Sequence, residues 1–277
     1  MKNIFSVNIE NEKFIADDFV VRNLSPELKA KQEQINEQAM KLDEKSKLPT
    51  PFSILMLVTF FIACVGTGGF FSALGDVSFK EAMNNAGYIL YISVFCWIAF
   101  MALIIISKAK YNKIAKSEEL LTLDQDAGET VKEILIDLQI PETAIKVDTF
   151  SEAYRIKNGK EVNANKISKY INVQMYAFID NGCLMLGDFE SVYAIPLNYI
   201  TGIERIDKKV SFIQWNKDEA HNKGEFKQYK ITQNNFSLFI KPYYAINFND
   251  GLKDCEIIFP AYEYENFSKL LNTNQEQ

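Results

Sequence analysis

Histidine is nearly absent from this 277-residue chain, with His221 the only one. A histidine-built metal centre is thereby excluded, and any Ser-His-Asp or Cys-His relay would have to run through that one position. His221 sits among Asn, Lys and Glu residues, the setting of a solvated loop side chain. The four cysteines, Cys64, Cys96, Cys183 and Cys255, lack the short paired spacing of a zinc site and read as reduced, apolar-packing residues. No glycine-rich phosphate loop is found either, because Gly66-Thr67-Gly68-Gly69 falls inside a long apolar run instead of between a strand and a helix. Acidic pairs such as Asp17-Asp18 and Glu118-Glu119 are sequence neighbours, so on regular structure they point to different faces and read as surface charge. A non-enzymatic role with no cofactor is expected. A net charge of −6 argues against nucleic acid, which requires a clustered positive excess.

Charge is missing in two places above all. Residues 52–74 and 86–106 contain no Asp, Glu, Lys or Arg. Roughly 20 helical residues cross a hydrocarbon core of about 30 Å, so each run is long enough to span a membrane. The first run begins only at Phe52, too far along for a secretory leader, and is expected to stay in the protein. The short link from Gly75 to Asn85 makes the two spans antiparallel neighbours. Small residues in the first span (Thr59, Ala63, Gly66, Thr67, Gly68, Gly69 and Ser72) suit close packing against the second. Lys41, Lys45 and Lys47 precede the first span and Lys108, Lys110, Lys113 and Lys116 follow the second, against Lys80 alone in the link. That bias predicts a multi-pass cell-membrane protein with both termini cytoplasmic.

Around the spans the chain divides into further segments. Residues 1–50 form a cytoplasmic segment in which Phe5, Val7 and Ile9 alternate as in a strand, before a polar helix over about 26–47. Ser25 and Pro26 start that helix, and Pro49 and Pro51 end it before the transmembrane hairpin at 51–107. Residues 108–169 read as a juxtamembrane linker, helix and hairpin. The helix is placed at Glu129–Gln139, with Asp126 and Glu129 as a capping box and Pro141 as the stop. Beyond Ala144 the apolar period becomes two-fold. Asn158-Gly159, Asn181-Gly182 and Asn249-Asp250-Gly251 are hairpin turns between such runs. Further strands are expected at 192–195, 203–206, 210–215, 229–232 and 237–240, and a closing helix at 261–271 with Tyr264, Phe267, Leu270 and Leu271 on its apolar face.

The passage Val192-Tyr193-Ala194-Ile195-Pro196-Leu197-Asn198-Tyr199-Ile200-Thr201-Gly202-Ile203, with the final hairpin and helix from Tyr243 to Leu271, resembles bacterial PH-like domains. The resemblance covers roughly 170–272, and bacterial membrane proteins joining a two-span hairpin to a C-terminal PH-like domain are similar across the chain. It implies an α+β membrane protein whose cytoplasmic domain is an antiparallel β-barrel or sandwich sealed by a C-terminal helix, with a binding or scaffolding role and no site residue to carry over. The long segment from Phe212 to Tyr244 and the elements before residue 170 depart from a minimal PH-like domain, which leaves the strand order open.

Within that domain, residues 201–241 carry eight basic residues against five acidic ones. Arg205, Lys208, Lys209, Lys217, Lys223, Lys227, Lys230 and Lys241 are interleaved with Phe212, Trp215, Phe226, Tyr229, Phe236 and Phe239. Two readings stand: a contact surface for anionic headgroups or a partner, and the alternation of half-buried strands. The expected function is a membrane-anchored module that recognises a protein segment or the anionic membrane surface. The competing reading is an oligomeric transport or pore-forming subunit built from the two-span hairpin. The expected partners are the lipid bilayer and a protein or further copies of the chain.

Overall fold

The structure is a computed structural model that describes residues 2–3, 6–8, 19–75, 77–157, 160–163, 170–214, 229, 232–234, 237–251 and 254–272. It is an α+β protein of two compact units: residues 30–130, and residues 1–29 together with 131–277.

The first unit is helical. Helix α1 (Pro26–Ser46) ends before the prolines, and α2 (Thr50–Leu74) restarts with Pro51 in its first turn, where a missing N–H costs nothing. Helix α3 (Phe79–Ala115) begins at an N-cap, the Ser78 hydroxyl accepting from Glu81 N at 3.4 Å. The connection between α2 and α3 is therefore shorter than the expected 75–85, and α3 runs beyond the apolar stretch at both ends. Its 37 residues make roughly 55 Å of helix. Helix α4 (Glu118–Asp137) starts directly after it, the Ser117 hydroxyl accepting from Leu120 N at 3.2 Å. The start expected at Glu129 is overturned: Asp126 and Glu129 lie mid-helix, because Ser117 supplies a cap and the helix begins eleven residues earlier, at Glu118.

Helices α2 and α3 are long and apolar enough to cross a membrane. They pack through a close approach of small residues. A Cβ added to Gly66 would lie 2.0 Å from Ser93 Oγ, so only glycine admits this neighbour. Every hydroxyl in the contact is satisfied: Ser93 donates to Ile89 O at 2.7 Å, Thr67 to Ala63 O at 2.6 Å, and Trp97 Nε1 donates to Thr67 Oγ1 at 3.2 Å. Phe70 and Leu103 are buried, but most large apolar side chains point outward, with Leu57 and Phe61 each 66% exposed and Phe95 71% exposed.

The second unit is built on one mainly antiparallel sheet. Strand β4 (Ile145–Lys157) pairs with β6 (Tyr170–Asp180) from Ile145↔Ala177 to Glu152↔Tyr170, then with β5 (Lys160–Asn163). The boundary expected at residue 170 thus cuts between two paired strands. Asn181 and Gly182, at φ 49° and 73°, make the tight turn from β6 into β7 (Cys183–Gly187), which pairs with β8 (Ser191–Pro196). These residue types take positive φ at low cost. A 3-10 turn at Leu197–Tyr199 leads to β9 (Ile200–Ile206), which pairs with β13 (Tyr243–Asn249) and through it with β14 (Asp254–Pro260). The two sets of strands meet where Ile258 of β14 pairs with Phe150 of β4.

The stretch between β9 and β13 holds β10 (Val210–Gln214), β11 (Thr232–Asn234) and β12 (Ser237–Ile240), with β10 lying parallel to β6. The amino-terminal residues also join this sheet. Strands β1 (Lys2–Asn3), β2 (Ser6–Asn8) and β3 (Val20–Asn23) pair with β14, β4 and β8 respectively. Residues 1–50 are therefore split between the two units.

The alternation of each strand sorts its side chains into three apolar clusters. Met175 and Ala177 of β6 face a core shared with Ile246, Ile257 and Phe259, which α5 (Tyr264–Asn272) seals with the fully buried Phe267. The rings of Phe259 and Phe267 meet with their centroids 4.4 Å apart, tilted by 45°. On the opposite face of β6, Tyr176 and Phe178 pack with Leu24, Ile134 and Leu138. Phe150, Phe212 and Ile240 form a third cluster, which is why the insertion carrying β10 and β12 stays with the sheet. At about 25 cal/mol per Å² of apolar area removed from water, such clusters are the main stabilising term.

Candidate functional site

Strand pairing gathers four of the eight singled-out basic residues at one end of the sheet. Ile206 pairs with Tyr243 and Val210 with Ile240, so the turn carrying Lys208 and Lys209 lies beside the turn carrying Lys241. All three lysines are exposed, as is Arg205 on β9. Arg205 is ion-paired with Asp207 at 3.1 Å, and Lys209 Nζ stands 4.3 Å from the ring centroid of Phe239. Lys217, Lys223, Lys227 and Lys230 lie outside the described residues, as do His221, Trp215, Phe226 and Phe236. Of the interleaved aromatics, Phe212 on β10 is fully buried, as on a half-buried strand, while Tyr229, placed by expectation at the start of a strand over 229–232, lies in a 3-10 turn and packs against the same cluster, β11 beginning only at Thr232.

Three polar arrangements fix the geometry around this sheet. Arg22 on β3 donates to the carbonyl oxygens of Leu138 and Gln139 at 3.3 Å each, occupying acceptors that the end of α4 leaves free, and reaches Asp180 at 3.5 Å. Asp148 on β4 and Glu263 after β14 are both buried. The Asp148 carboxylate accepts from Tyr262 OH at 2.7 Å, and its backbone N–H donates to Glu263 Oε1 at 3.1 Å. Asp188, in the turn between β7 and β8, accepts from the N–H groups of Glu190 and Ser191 at 2.7 Å each. Burial nevertheless pushes its carboxyl pKa up, the lost hydration outweighing those two bonds.

The described residues hold no group of three or more His, Cys, Asp or Glu side chains placed to bind a metal. Several clefts lie within single units among the described residues. One of about 890 Å³ runs between α1 and α4, with Leu42 and Leu123 at its base and Lys45 bound to Glu119 at 2.9 Å on its rim. One of about 260 Å³ lies between β3, β8 and the start of α1, with Lys29 and Glu190 on its walls. The third, of about 340 Å³, is formed by Leu197, Ile200 to Ile203, Leu271 and Asn272, between β9 and the end of α5. The walls of the third are polar and apolar in about equal measure, with Leu197, Ile200, Ile203 and Leu271 only partly covered by the core they belong to, whereas the cleft between α2 and α3 lined by Phe61, Val65, Gly66, Ile89 and Ser93 is almost wholly apolar. Sequence reasoning does not single out the third, since its walls come from segments some 70 positions apart that only the fold brings together.

No family model matches the chain, and neither any curated protein nor any solved structure is similar to it.

Proposed function

We propose that this chain is a membrane-anchored, non-enzymatic binding module. In this reading α2 and the apolar part of α3 cross the bilayer, both chain ends are cytoplasmic, and the strand-rich unit is a PH-like domain that captures an extended protein segment. The observation that carries it is the outward apolar surface of the helical unit. Leu57, Phe61, Val65, Phe95, Ile98 and Ile105 are each at least 62% exposed, an arrangement that water penalises and lipid does not. The satisfied hydroxyls of Thr67 and Ser93 support the same placement, because hydrocarbon offers no replacement partner. The PH-like reading is supported by strand order: a β4-β6-β7-β8 meander, a second set β9-β13-β14, and a terminal helix sealing the core between them. Expressed in bacterial cells, the full chain should stay with the pelleted membranes after an alkaline carbonate wash and leave them only in detergent. Release by carbonate would overturn the anchor.

A second reading of the bound partner is favoured by the gathering of Lys208, Lys209 and Lys241: contact with anionic headgroups, each lysine worth about 1 kcal/mol near such a surface. Full-length chain in neutral nanodiscs should then bind phosphatidylserine vesicles at low salt, and changing these three lysines to glutamine should abolish it. Equal binding to phosphatidylcholine vesicles would rule it out.

A further inference from the structure

We infer that the chain associates with a second copy of itself, the exposed basic end of α3 in one copy lying in the cleft between α1 and α4 of the other; this rests on the membrane-anchored reading above. The cleft of about 890 Å³ carries Glu44 on α1 and Glu118, Glu119 and Asp126 on α4, against Lys41 and Lys45. Both lysines are already engaged, Lys45 with Glu119 at 2.9 Å and Lys41 with Glu37 at 3.6 Å. The charge that remains is that of Glu44, Glu118 and Asp126, which are exposed and in no ion pair among the described residues. Helix α4 as a whole has seven acidic residues against Lys132 alone. The backbones of α1 and α4 are satisfied within each helix, so the cleft offers side chains only, and its occupant must satisfy its own backbone as a helix does. Acidic walls repel anionic headgroups and nucleic acid and select a basic helix.

The same helical unit supplies such a helix. Residues 107–116, the end of α3 and its cap, hold four lysines and no acidic residue. Helical spacing divides them. Lys110 turns inward and donates to the Lys47 carbonyl oxygen, whereas Lys108, Lys113 and Lys116 share the outward face with Asn112, exposed and in no ion pair among the described residues. Lys113 and Lys116 stand about 10 Å and 15 Å along the helix beyond Ile106, where the apolar stretch ends, and a headgroup layer is only about 5–8 Å deep on each side. They therefore rise past the headgroups to the level at which α4 starts, at Glu118. A bilayer holds every copy at one height, so the basic end of one copy meets the acidic cleft of the next at the same level. Exposed ion pairs are individually weak, and confinement to the membrane raises the effective concentration at which they form.

The test uses the full-length chain, fused to a donor or an acceptor fluorescent protein and reconstituted in phosphatidylcholine vesicles, where no anionic lipid competes for the lysines. Energy transfer should report self-association that weakens as salt is raised, since exposed charges are screened over about 10 Å at 0.1 M ionic strength. A chain with Lys113→Glu and Lys116→Glu, and a second with Glu118→Lys and Asp126→Lys, should each self-associate about tenfold more weakly. Mixing the two variants should restore transfer, because the reversed α3 end of one then meets the reversed cleft of the other, and the unaltered pair of patches meets likewise. Misfolded chains cannot produce that recovery, so it separates lost complementarity from lost fold. Absence of transfer in the unaltered chain, transfer that neither reversal weakens, or a mixture that does not recover would each overturn the second-copy contact. The anchor stands apart from these outcomes, since the carbonate wash decides it.

Discussion

The two units use the same apolar side chains in opposite ways. In the strand-rich unit Phe150, Phe212, Phe248, Phe259 and Phe267 are all at most 1% exposed, whereas in the helical unit Phe52, Phe61, Phe71 and Phe95 are 49% to 71% exposed. Composition alone does not separate these regions, since both are rich in phenylalanine. The difference is periodicity. A strand alternates, so its apolar half turns inward and its polar half meets water. Helix α2 and the middle of α3 are apolar all round, so the pair has no polar face to offer there, and packing covers one side, at Ala63, Gly66, Phe70, Ser93 and Leu103, while most of the large apolar side chains stay outside.

The largest effect that sharpens this contrast is expected from cutting away one phenylalanine in each unit. Phe267→Ala removes the fully buried ring that α5 inserts between the strands and should cost about 3–5 kcal/mol. Phe61→Ala, on an outward face, should stay within about 0.5 kcal/mol. Thermal melts of the detergent-solubilised chain followed by near-ultraviolet circular dichroism compare the two. Equal losses would erase the distinction between a packed core and an outward face.

A smaller effect is expected inside the helix pair. Gly66→Leu places carbon where Ser93 Oγ sits and should destabilise the pair by about 1–3 kcal/mol, while Gly68→Leu enters open space and should be neutral. Helical circular dichroism during detergent titration reads both. A neutral Gly66→Leu would mean that α2 and α3 do not pack on this strip.

How far the sequence forecast this fold follows from how local each signal is. The two long apolar helices were legible because the absence of charge is a property of consecutive residues. The Asn181-Gly182 turn was legible because positive φ selects its residues directly. The start of α4 was not, because Asp126 and Glu129 imitate a capping box, although Leu120, Leu123 and Ala127 continue the face of Val131 and Ile134 back towards the Ser117 cap at helical spacing. Nor was the parallel pairing of β10 with β6, which joins Phe212 to Tyr170 across 42 positions. The β9 groove shares that difficulty, its walls being set by a helix that arrives at the end of the chain. Of the candidate contacts, Lys208, Lys209 and Lys241 were found by composition, but their meeting at adjacent turns depends on register.

The smallest predicted effect concerns the polar frame of the strand-rich unit. Burial raises the Asp188 carboxyl above its ordinary value of 3.8, so the folded state holds that proton more tightly than the unfolded chain. Its contribution to stability is therefore greatest below that ordinary value and is lost as pH rises through the raised folded value. Asp188→Asn keeps an oxygen for the Glu190 and Ser191 N–H groups without the charge, and should flatten this part of the pH profile and raise the melting temperature at pH 7. A lower melting temperature at pH 7 would mean that the ionised carboxylate is a net stabiliser.

The most direct test of the membrane placement is thiol labelling of intact bacterial cells. Cys64, Cys96, Cys183 and Cys255 are first changed to alanine, and single cysteines are then introduced at Val77, in the turn between α2 and α3, and at Lys269, exposed on α5. An impermeant maleimide should label Val77→Cys in intact cells and Lys269→Cys only after lysis. Labelling of Lys269→Cys alone in intact cells would reverse the orientation, and labelling of both would contradict a hairpin that crosses the membrane and returns.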